Sequence, residues 1–315
     1  MSKRTYLITG GAGFIGSHIA ERLVRGGHRV RVLDDFSSGK EANLESFHGG
    51  VETVRGDIRD AALVNEAAKG VDIVFHEAAL GSVPRSVADP LSTHEVNITG
   101  TLNVLLAARD AGVKRVVYAS SSSVYGETPI LPKHEQMTPQ PLSPYALSKL
   151  VGEHYAEVFK QVYGFEVVAL RYFNIFGPRQ DLESQYAAVI PRFITALLTG
   201  KSPVVYGDGL QSRDFTYVDN VVDANLLASE ADGAAGQAFN IACGGRYTLL
   251  ELLAKLREMI GSEIEATHEP NRPGDVRDSQ ASIEAAEQVL GYRVSVGFEE
   301  GLRQTVEWYR KQIGE

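Results

Sequence analysis

The chain predicts an α/β fold, a doubly wound parallel sheet with a smaller, mainly C-terminal lobe. Three observations carry this. A glycine-rich turn, Thr9-Gly10-Gly11-Ala12-Gly13-Phe14-Ile15-Gly16, directly follows the apolar run Tyr6-Leu7-Ile8. Strand-like and helix-like segments alternate through the first half, which implies parallel strands joined by helical crossovers. After residue 174 the alternation breaks, and Pro, Gly and Arg become frequent.

Each element follows in order. Tyr6–Thr9 reads as the first strand and Phe14–Arg25 as a helix. Between them Gly10, Gly13 and Gly16 give the spacing G-x-x-G-x-x-G. Such a turn lets backbone N–H groups and a helix N-terminus approach a pyrophosphate with no Cβ in the way. The plainer alternative is a tight turn with no ligand. Arg29–Leu33 reads as the second strand and ends in Asp34, about 20 residues on, where a carboxylate can hold ribose hydroxyls. Val51–Arg55 is a short third strand ending at Gly56-Asp57. Ala61–Ala68 is helical, Ile73–His76 is the fourth strand, and Leu80–Asp89 reads as a loop. Asn97–Ala111 has helical periodicity. Arg115–Ala119 and Val167–Arg171 are the fifth and sixth strands. In such sheets ligands sit beyond the carboxyl ends of the strands. Gly10, Asp34, Asp57, Ala78, Ala79, Ser121 and Asn174 all fall there.

Beyond residue 174, helices are expected over Ala187–Thr199, Thr248–Met259 and Glu299–Lys311. Residues 1–174 are expected to form the first lobe and 175–315 mainly the second. The chain is expected to cross back to the first lobe over 215–242, through Val218–Asn240.

Composition narrows the function classes. At 315 residues the chain exceeds the usual single-domain size. The net charge of −9 and the lack of a dense Lys/Arg stripe argue against nucleic acid as a partner. No apolar run approaches ~18 residues, so no membrane partner is expected. Met1-Ser2-Lys3-Arg4-Thr5 leads straight into the first strand with no signal-peptide core. A single cysteine, Cys243, cannot form an internal disulfide. Together these predict a cytoplasmic protein. No metal-ligand spacing occurs, and His76, Cys243 and Trp308 read as structural.

Two further segments could do chemistry. Ser143 is a good N-cap and Pro144 suits the first helical position ahead of Tyr145-Ala146-Leu147-Ser148-Lys149. Tyr145 and Lys149 then share one helix face. An ammonium near a phenol, and the positive helix N-terminus, both favour phenolate. A tyrosine that ordinarily titrates at about 10 is thereby expected nearer neutrality, where a general base works best. Taken alone, an ordinary surface Tyr/Lys pair is the commoner outcome. Ser120-Ser121-Ser122-Ser123 directly follows the fifth strand. Four hydroxyls there are expensive to bury without partners, which a sugar or cofactor would supply; a solvated turn is the alternative.

These segments together resemble the extended short-chain dehydrogenase/reductase family over essentially the full length, and within it the nucleotide-sugar 4-epimerases. The matching segments are Thr9–Gly16, Ser120–Gly126, Tyr145–Lys149, Arg171–Asn174, Gly207–Gly209, Ser212–Phe215 and Arg272–Asp275. The resemblance implies a Rossmann lobe that binds NAD. It implies Tyr145 as the base, Lys149 as its neighbour and ribose ligand, and Ser121 as the hydroxyl bridging Tyr145 and the sugar O4. Ser121 lies 24 residues before Tyr145, the family's usual interval. Cofactor contacts are implied for Gly10, Gly13, Phe14, Ile15, Gly16, Asp34, Asp35, Lys40, Asp57, Ile58, Ala78, Ala79, Asn97 and Tyr172. Substrate contacts are implied for Ser82, Val83, Arg85, Ser122, Ser123, Asn174, Ala188, Val189, Asp275 and Ser279. Tyr206 is placed to stack on the uracil, and Arg213 and Arg272 to clamp the diphosphate with forked guanidinium donors. Asp34-Asp35 would repel a 2′-phosphate, so NAD is expected rather than NADP; Lys40 is the nearby basic residue.

The implied reaction is epimerisation at C4 of a UDP-sugar. The 4-hydroxyl loses its proton to Tyr145 through Ser121 and its hydride to NAD. The 4-keto sugar turns about its diphosphate tether and takes the hydride back on its other face. No net redox occurs, so the NAD is expected to stay bound. Gly81-Ser82-Val83-Pro84-Arg85-Ser86 and Gly177-Pro178-Arg179-Gln180-Asp181 with Tyr186–Pro191 resemble epimerases of UDP-N-acetylglucosamine (UDP-GlcNAc) and UDP-N-acetylgalactosamine (UDP-GalNAc). Ser279, five residues after Gly274, stands where the family places a size gate; a small serine leaves room for an acetamido group. UDP-glucose and UDP-galactose are expected as further substrates. Ser122 and Ser123 replace the Asp-Glu pair usual in 4,6-dehydratases and argue against dehydration. Arg85 keeps a UDP-uronic acid epimerase or decarboxylase as the alternative. A non-catalytic nucleotide sensor would be expected to lose the Tyr/Lys pair or the serine. The resemblance also implies a homodimer through Asn97–Ala111 and Tyr145–Tyr163.

Overall fold

Strand β1 (Thr5–Thr9) runs into Gly10, which turns the chain at φ +69°. Helix α1 (Phe14–Arg25) follows, then β2 (Arg29–Asp34). The computed structural model describes residues 3–181, 188–270 and 277–314. The sheet continues through β3 (Val51–Arg55), β4 (Ile73–His76), β5 (Arg115–Ser121) and β6 (Glu166–Tyr172). A seventh strand, Ala238–Ile241, adds beside β6. Starting from that last strand, the order is β6, β5, β4, β1, β2, β3, and every pairing is parallel. The order reverses between β1 and β4, and a ligand crevice opens at such a switch point.

Strand periodicity sends successive residues to opposite faces. Ile8, Val32 and Phe75 pack beneath α1 and α8 (Val218–Glu230). Leu7, Leu33, Val74 and Val116 pack beneath α2 (Ala61–Ala68), α5 (Thr101–Asp110) and α6 (Pro144–Tyr163). Burying such a side chain contributes ~1.5–3 kcal/mol, so both faces of the sheet need their helices.

A buried charge network ties α6 to the sheet. Arg171 of β6 makes two hydrogen bonds to Glu153, at 2.9 and 2.7 Å, and a third to the Tyr125 hydroxyl at 2.7 Å. Ser120 donates to the same Glu153 carboxylate. This corrects the expectation that all four serines await a ligand. Strand β5 runs two residues past the expected Ala119, so Ser120 points inward and is satisfied by the protein.

Leu80–Asp89 is not simply a loop. Ser82 caps a short helix, α3 (Val83–Ala88), by accepting the Arg85 N–H at 3.2 Å. Asp89 caps the next, α4 (Pro90–His94), through the Ser92 N–H at 3.1 Å. Both starts carry an oxygen-bearing cap and a proline in the first turn. The expected helix from Asn97 begins instead with a wide turn, Glu95–Gly100, which runs into α5.

The second lobe packs α7 (Val189–Leu198), α9 (Leu249–Ile260) and α10 (Phe298–Ile313) around Phe176, Phe193, Phe215 and Leu252. Its strands are short pairs: Val204–Tyr206 with Thr267–Glu269, Ser212–Arg213 with Tyr247–Thr248, and Ile175–Phe176 with Thr216–Tyr217.

Candidate active site

The cleft begins where β1 and β4 end side by side. A Cβ on Gly10 would lie 2.7 Å from the Ala78 backbone N, and one on Gly16 would lie 2.3 Å from the Gly10 carbonyl oxygen. Glycine is therefore required for the turn and helix to approach each other. Gly13 sits at the N-cap of α1 and offers no side-chain cap. The leading N–H groups of the helix consequently have no side-chain acceptor there. The cleft holds about 400 Å³. Gly10, Gly13, Phe14, Ile15 and Gly16 form its floor, Asp34, Asp35, Asp57 and Ile58 one side, and Ala78 and Ala79 the other. Ser82 and Arg85 close one end.

The Asp34 carboxylate accepts the Ala12 and Phe36 N–H groups at 2.9 and 2.8 Å. Burial nevertheless pushes its pKa above the ordinary value, while these two bonds pull it down. Lys40 lies outside the lining and pairs at 3.0 Å with Asp181, which does line the cleft. Asn97 is buried behind the wall. Its side chain brackets the Leu80 backbone, accepting N–H at 2.8 Å and donating to the carbonyl at 3.2 Å, and donates to Ser148 at 3.1 Å. It touches the cleft only through Leu80. His76 is locked between Thr9 and Thr101, at 2.6 and 2.9 Å, and burial lowers its pKa to about 3.

Ser121, Tyr145 and Lys149 come together at the carboxyl end of β5. Ser143 caps α6 through the Ala146 N–H at 3.1 Å, with Pro144 in the first turn, as the spacing predicts. Ser121 lies near enough to Tyr145 to lower its pKa. Ser123 donates to the Ser121 oxygen from its hydroxyl at 2.9 Å and its backbone N–H at 3.2 Å. The Ser121 proton is therefore directed elsewhere, which suits a bond to the phenol. Lys149 donates to the Ala119 carbonyl at 2.7 Å and stands 5.9 Å from the Tyr145 ring centre.

The structure corrects the expected phenol. Burial raises Tyr145 above its ordinary value, and Ser121 opposes this. Burial also lowers Lys149 to about 8, with Glu77 opposing. Desolvation outweighs the opposing effect of Ser121 in the protein alone.

Sequence reasoning missed Glu77. It follows β4, lines the cleft and accepts the Tyr172 hydroxyl at 2.9 Å. Tyr172, an expected cofactor contact, is thus committed to Glu77 and to Asn225, which donates to it at 2.8 Å. An acid directly after the fourth strand, ahead of the apolar Ala78-Ala79-Leu80, was the available signal.

Across the cleft, Asn174 adopts φ +40° and donates to the Asp214 carbonyl at 3.0 Å and to Ser279 at 3.3 Å. Asp214 is fully buried and accepts the Cys243 and Ala281 N–H groups at 3.0 and 3.2 Å. It draws together the segments that carry Asn174, Arg213 and Ser279. Burial raises its pKa to about 6. Arg213 donates to the Ser212 and Arg277 carbonyls, both at 2.9 Å. The Tyr206 ring carries the Arg192 guanidinium 5.3 Å from its centre. Ser122 and Ser123 open the short turn Ser122–Tyr125. Val83 lies in the first turn of α3. Ala188 caps α7 and is exposed, whereas Val189 packs on the second-lobe core. Arg272 and Asp275 lie outside the described residues, as do Gly274, Tyr186 and Ala187.

The cleft fits a dinucleotide on its own geometry: two glycines that tolerate no Cβ, an uncapped helix N-terminus and an acid at the end of β2. Among the described residues no helix is long and apolar enough to cross a membrane, and no cluster of potential metal ligands occurs. With Ser121, Tyr145 and Lys149 gathered at the end of β5 and Lys149 acting on Glu77 of its lining, this cleft defines a dinucleotide-dependent enzyme of the short-chain dehydrogenase/reductase type. The model of the NAD dependent epimerase/dehydratase family matches residues 6–242, and the chain belongs to that family.

A UDP-glucose 4-epimerase of Mycolicibacterium smegmatis is 41% identical over 310 residues, covering 97% of this chain and 98% of that protein. The solved UDP-N-acetylglucosamine 4-epimerase of Methanobrevibacter ruminantium, in complex with UDP-N-acetylmuramic acid, is 43% identical. It matches with a TM-score of 0.95 over 99% of this chain and 100% of its own. The UDP-glucose 4-epimerase of Thermus thermophilus, in complex with NAD, is 39% identical with a TM-score of 0.88. That match covers 97% of this chain and 99% of its own.

Proposed function

We infer that this protein is an NAD-dependent 4-epimerase of UDP-sugars, with UDP-GlcNAc and UDP-GalNAc preferred and UDP-glucose and UDP-galactose also accepted. The observation that carries the reading is the gathering of Ser121, Tyr145 and Lys149 at the carboxyl end of β5, with Lys149 acting on Glu77 in the lining of a glycine-floored cleft. NAD supplies, when bound, the hydride acceptor and donor and a positively charged ring. Gly10, Gly13 and the α1 N-terminus hold its diphosphate, and Asp34 a ribose.

Tyr145 takes the proton of the sugar 4-hydroxyl, steered by Ser121, and returns it after the sugar has turned. Lys149 supplies positive charge near the phenol. Its ammonium favours the phenolate against the burial that disfavours it. Arg213 and Arg272 grip the diphosphate, which leaves the sugar ring free to rotate. The acetamido preference rests on Ser279, which is small, nearly buried and bonded to Asn174.

A homodimer is part of this reading. Leu147, Val158 and Val162 are exposed on α6, and 158 and 162 are one helical turn apart. An exposed apolar face of this kind marks an interaction surface. A cytoplasmic location is also proposed, from the single cysteine and the acidic balance.

The test is direct. Purified protein, with no cofactor added, is given UDP-GlcNAc or UDP-glucose, and the sugars are followed by proton NMR. The reading expects UDP-GalNAc to form, and faster than UDP-galactose does. Absence of either product, even with NAD supplied, would overturn it.

A further inference from the structure

We propose that Glu77 is a positioning residue of this site: held by Tyr172 and Asn225, its carboxylate is the counter-charge that keeps Lys149 an ammonium beside Tyr145.

Donor and acceptor arithmetic fixes the direction of the chain. Asn225 donates from Nδ2 to the Val221 carbonyl at 2.9 Å and to the Tyr172 oxygen at 2.8 Å. The Val221 carbonyl can only accept, so the amide cannot be turned the other way. The Tyr172 oxygen is then an acceptor for Asn225, and its single proton goes to Glu77 Oε1 at 2.9 Å. Glu77 Oε1 is thus held as an acceptor, which favours the ionised carboxyl. Its neighbours Ala78 and Ala79 are fixed in turn, since Gly10 packs against the Ala78 backbone.

The surroundings of Lys149 explain why a counter-charge matters. Its Nζ has the Ala119 carbonyl at 2.7 Å, the Tyr118 ring centre at 5.2 Å and the Tyr145 ring centre at 5.9 Å. It is nearly fully buried. β4 and β5 pair His76 with Tyr118, which brings the next residue, Glu77, level with Ala119, the residue whose carbonyl holds Nζ; Tyr118 from β5 and Tyr145 from its own helix also face the ammonium. His76, also on β4, is neutral and engaged with Thr9 and Thr101. Glu77 is the acid whose charge acts on Lys149, and Lys149 the cation whose charge acts on Glu77. The groups facing Glu77 are Tyr172 from β6 and Lys149 from α6. Burial raises Glu77 to about 7 and lowers Lys149 to about 8, so near neutral pH Lys149 is mostly charged and Glu77 is poised between its two forms, its charge favoured by Tyr172 and Lys149. Loss of one charge weakens the other.

The proposal rests on Lys149 acting beside Tyr145 as read above, but its first test does not depend on turnover. Protein labelled with ¹³Cε-lysine is titrated by NMR, and the Lys149 signal is assigned by its loss in Lys149→Arg. In Glu77→Gln the Lys149 midpoint is expected to fall by about one pH unit or more. Tyr172→Phe removes the bond that favours ionised Glu77 and should lower the midpoint by less. It also serves if Glu77→Gln does not fold. An unchanged or higher Lys149 midpoint in the variants that fold would overturn the proposal.

The second readout is the pH profile of UDP-sugar turnover. The alkaline limb is expected to move to lower pH in Glu77→Gln and to return towards wild type in Glu77→Asp. A uniform drop in kcat with the limb unmoved would mean a merely structural role and sink the idea. If no UDP-sugar is turned over at all, the epimerase reading fails while the lysine titration still decides Glu77.

Discussion

On the first-lobe side of the site, Gly10, Asp34, Asp57 and Ser121 each lie within two residues of the end of a parallel strand. On the opposite side, Tyr206, Arg213 and Ser279 come from separate short segments, pinned largely through backbone carbonyls and the buried Asp214, and meet Asn174 at the end of β6. The first group is placed by a hydrogen-bonded sheet with helices on both faces. The second is placed by two-residue and three-residue strand pairs and loops whose positions depend on one another. A sheet places chemistry repeatably, whereas loops can be re-cut to fit a different substrate. Changes on the sheet side should therefore affect all substrates alike, and changes on the loop side should alter the ratio between them.

The largest expected effect is on the sheet side. Tyr145→Phe should lower kcat by ~10²–10⁴-fold for UDP-GlcNAc and UDP-glucose equally, the range for loss of a general acid–base group. Cofactor released by acid should show NAD still bound. A substrate-dependent loss would break the comparison.

Gly16→Ala comes next. The added Cβ meets the Gly10 carbonyl at 2.3 Å, so the turn must shift. We expect a loss of ~1–3 kcal/mol of stability by thermal unfolding, and protein purified with little NAD. Full NAD content would show that the turn does not hold the cofactor.

Ser279→Tyr tests the loop side. The ratio of UDP-GlcNAc to UDP-glucose turnover should fall by ~10–200-fold, the discrimination that pocket size supplies. An equal loss on both substrates would mean that Ser279 acts through Asn174 rather than as a size gate.

The smallest effect is pH dependence. Lys149 is a cation with a lowered pKa of about 8, so it loses its charge as pH rises through that value. Turnover of both substrates should decline above about pH 8, as read from kcat/KM profiles. A limb near the ordinary lysine value would break this account.

The sheet side was also the legible side. The six strands, the glycine turn, the Ser143 cap and the Tyr145/Lys149 face follow from periodicity, capping and spacing, which are local properties of the chain. Asp34 could be placed because it ends a strand. Three features were not legible for physical reasons. Ser120 turns away from its neighbours because the strand continues through it, and only Glu153, 33 residues later, reveals this. Glu77 and Tyr172 are 95 residues apart, and their bond exists only because β6, two strands across the sheet, runs three residues past the level at which β4 ends. The phenol of Tyr145 was expected lower than it lies, because the depth of its burial is a tertiary fact. On the loop side, single residues such as Ser279 had meaning only through the family resemblance. Asp214, which organises them, looked like any loop acid.

The return of the chain to the sheet carries one more consequence. Strand Ala238–Ile241 covers the outer edge of β6, yet it is reached only after the chain has built part of the second lobe. A gene cut at residue 174 would therefore not yield a tidy nucleotide-binding half. It would leave β6 with a bare row of backbone donors and acceptors, and would remove α8 from one face. Such a fragment would be sticky rather than modular. The two halves of the active site are thus inherited, and must be made, as one piece.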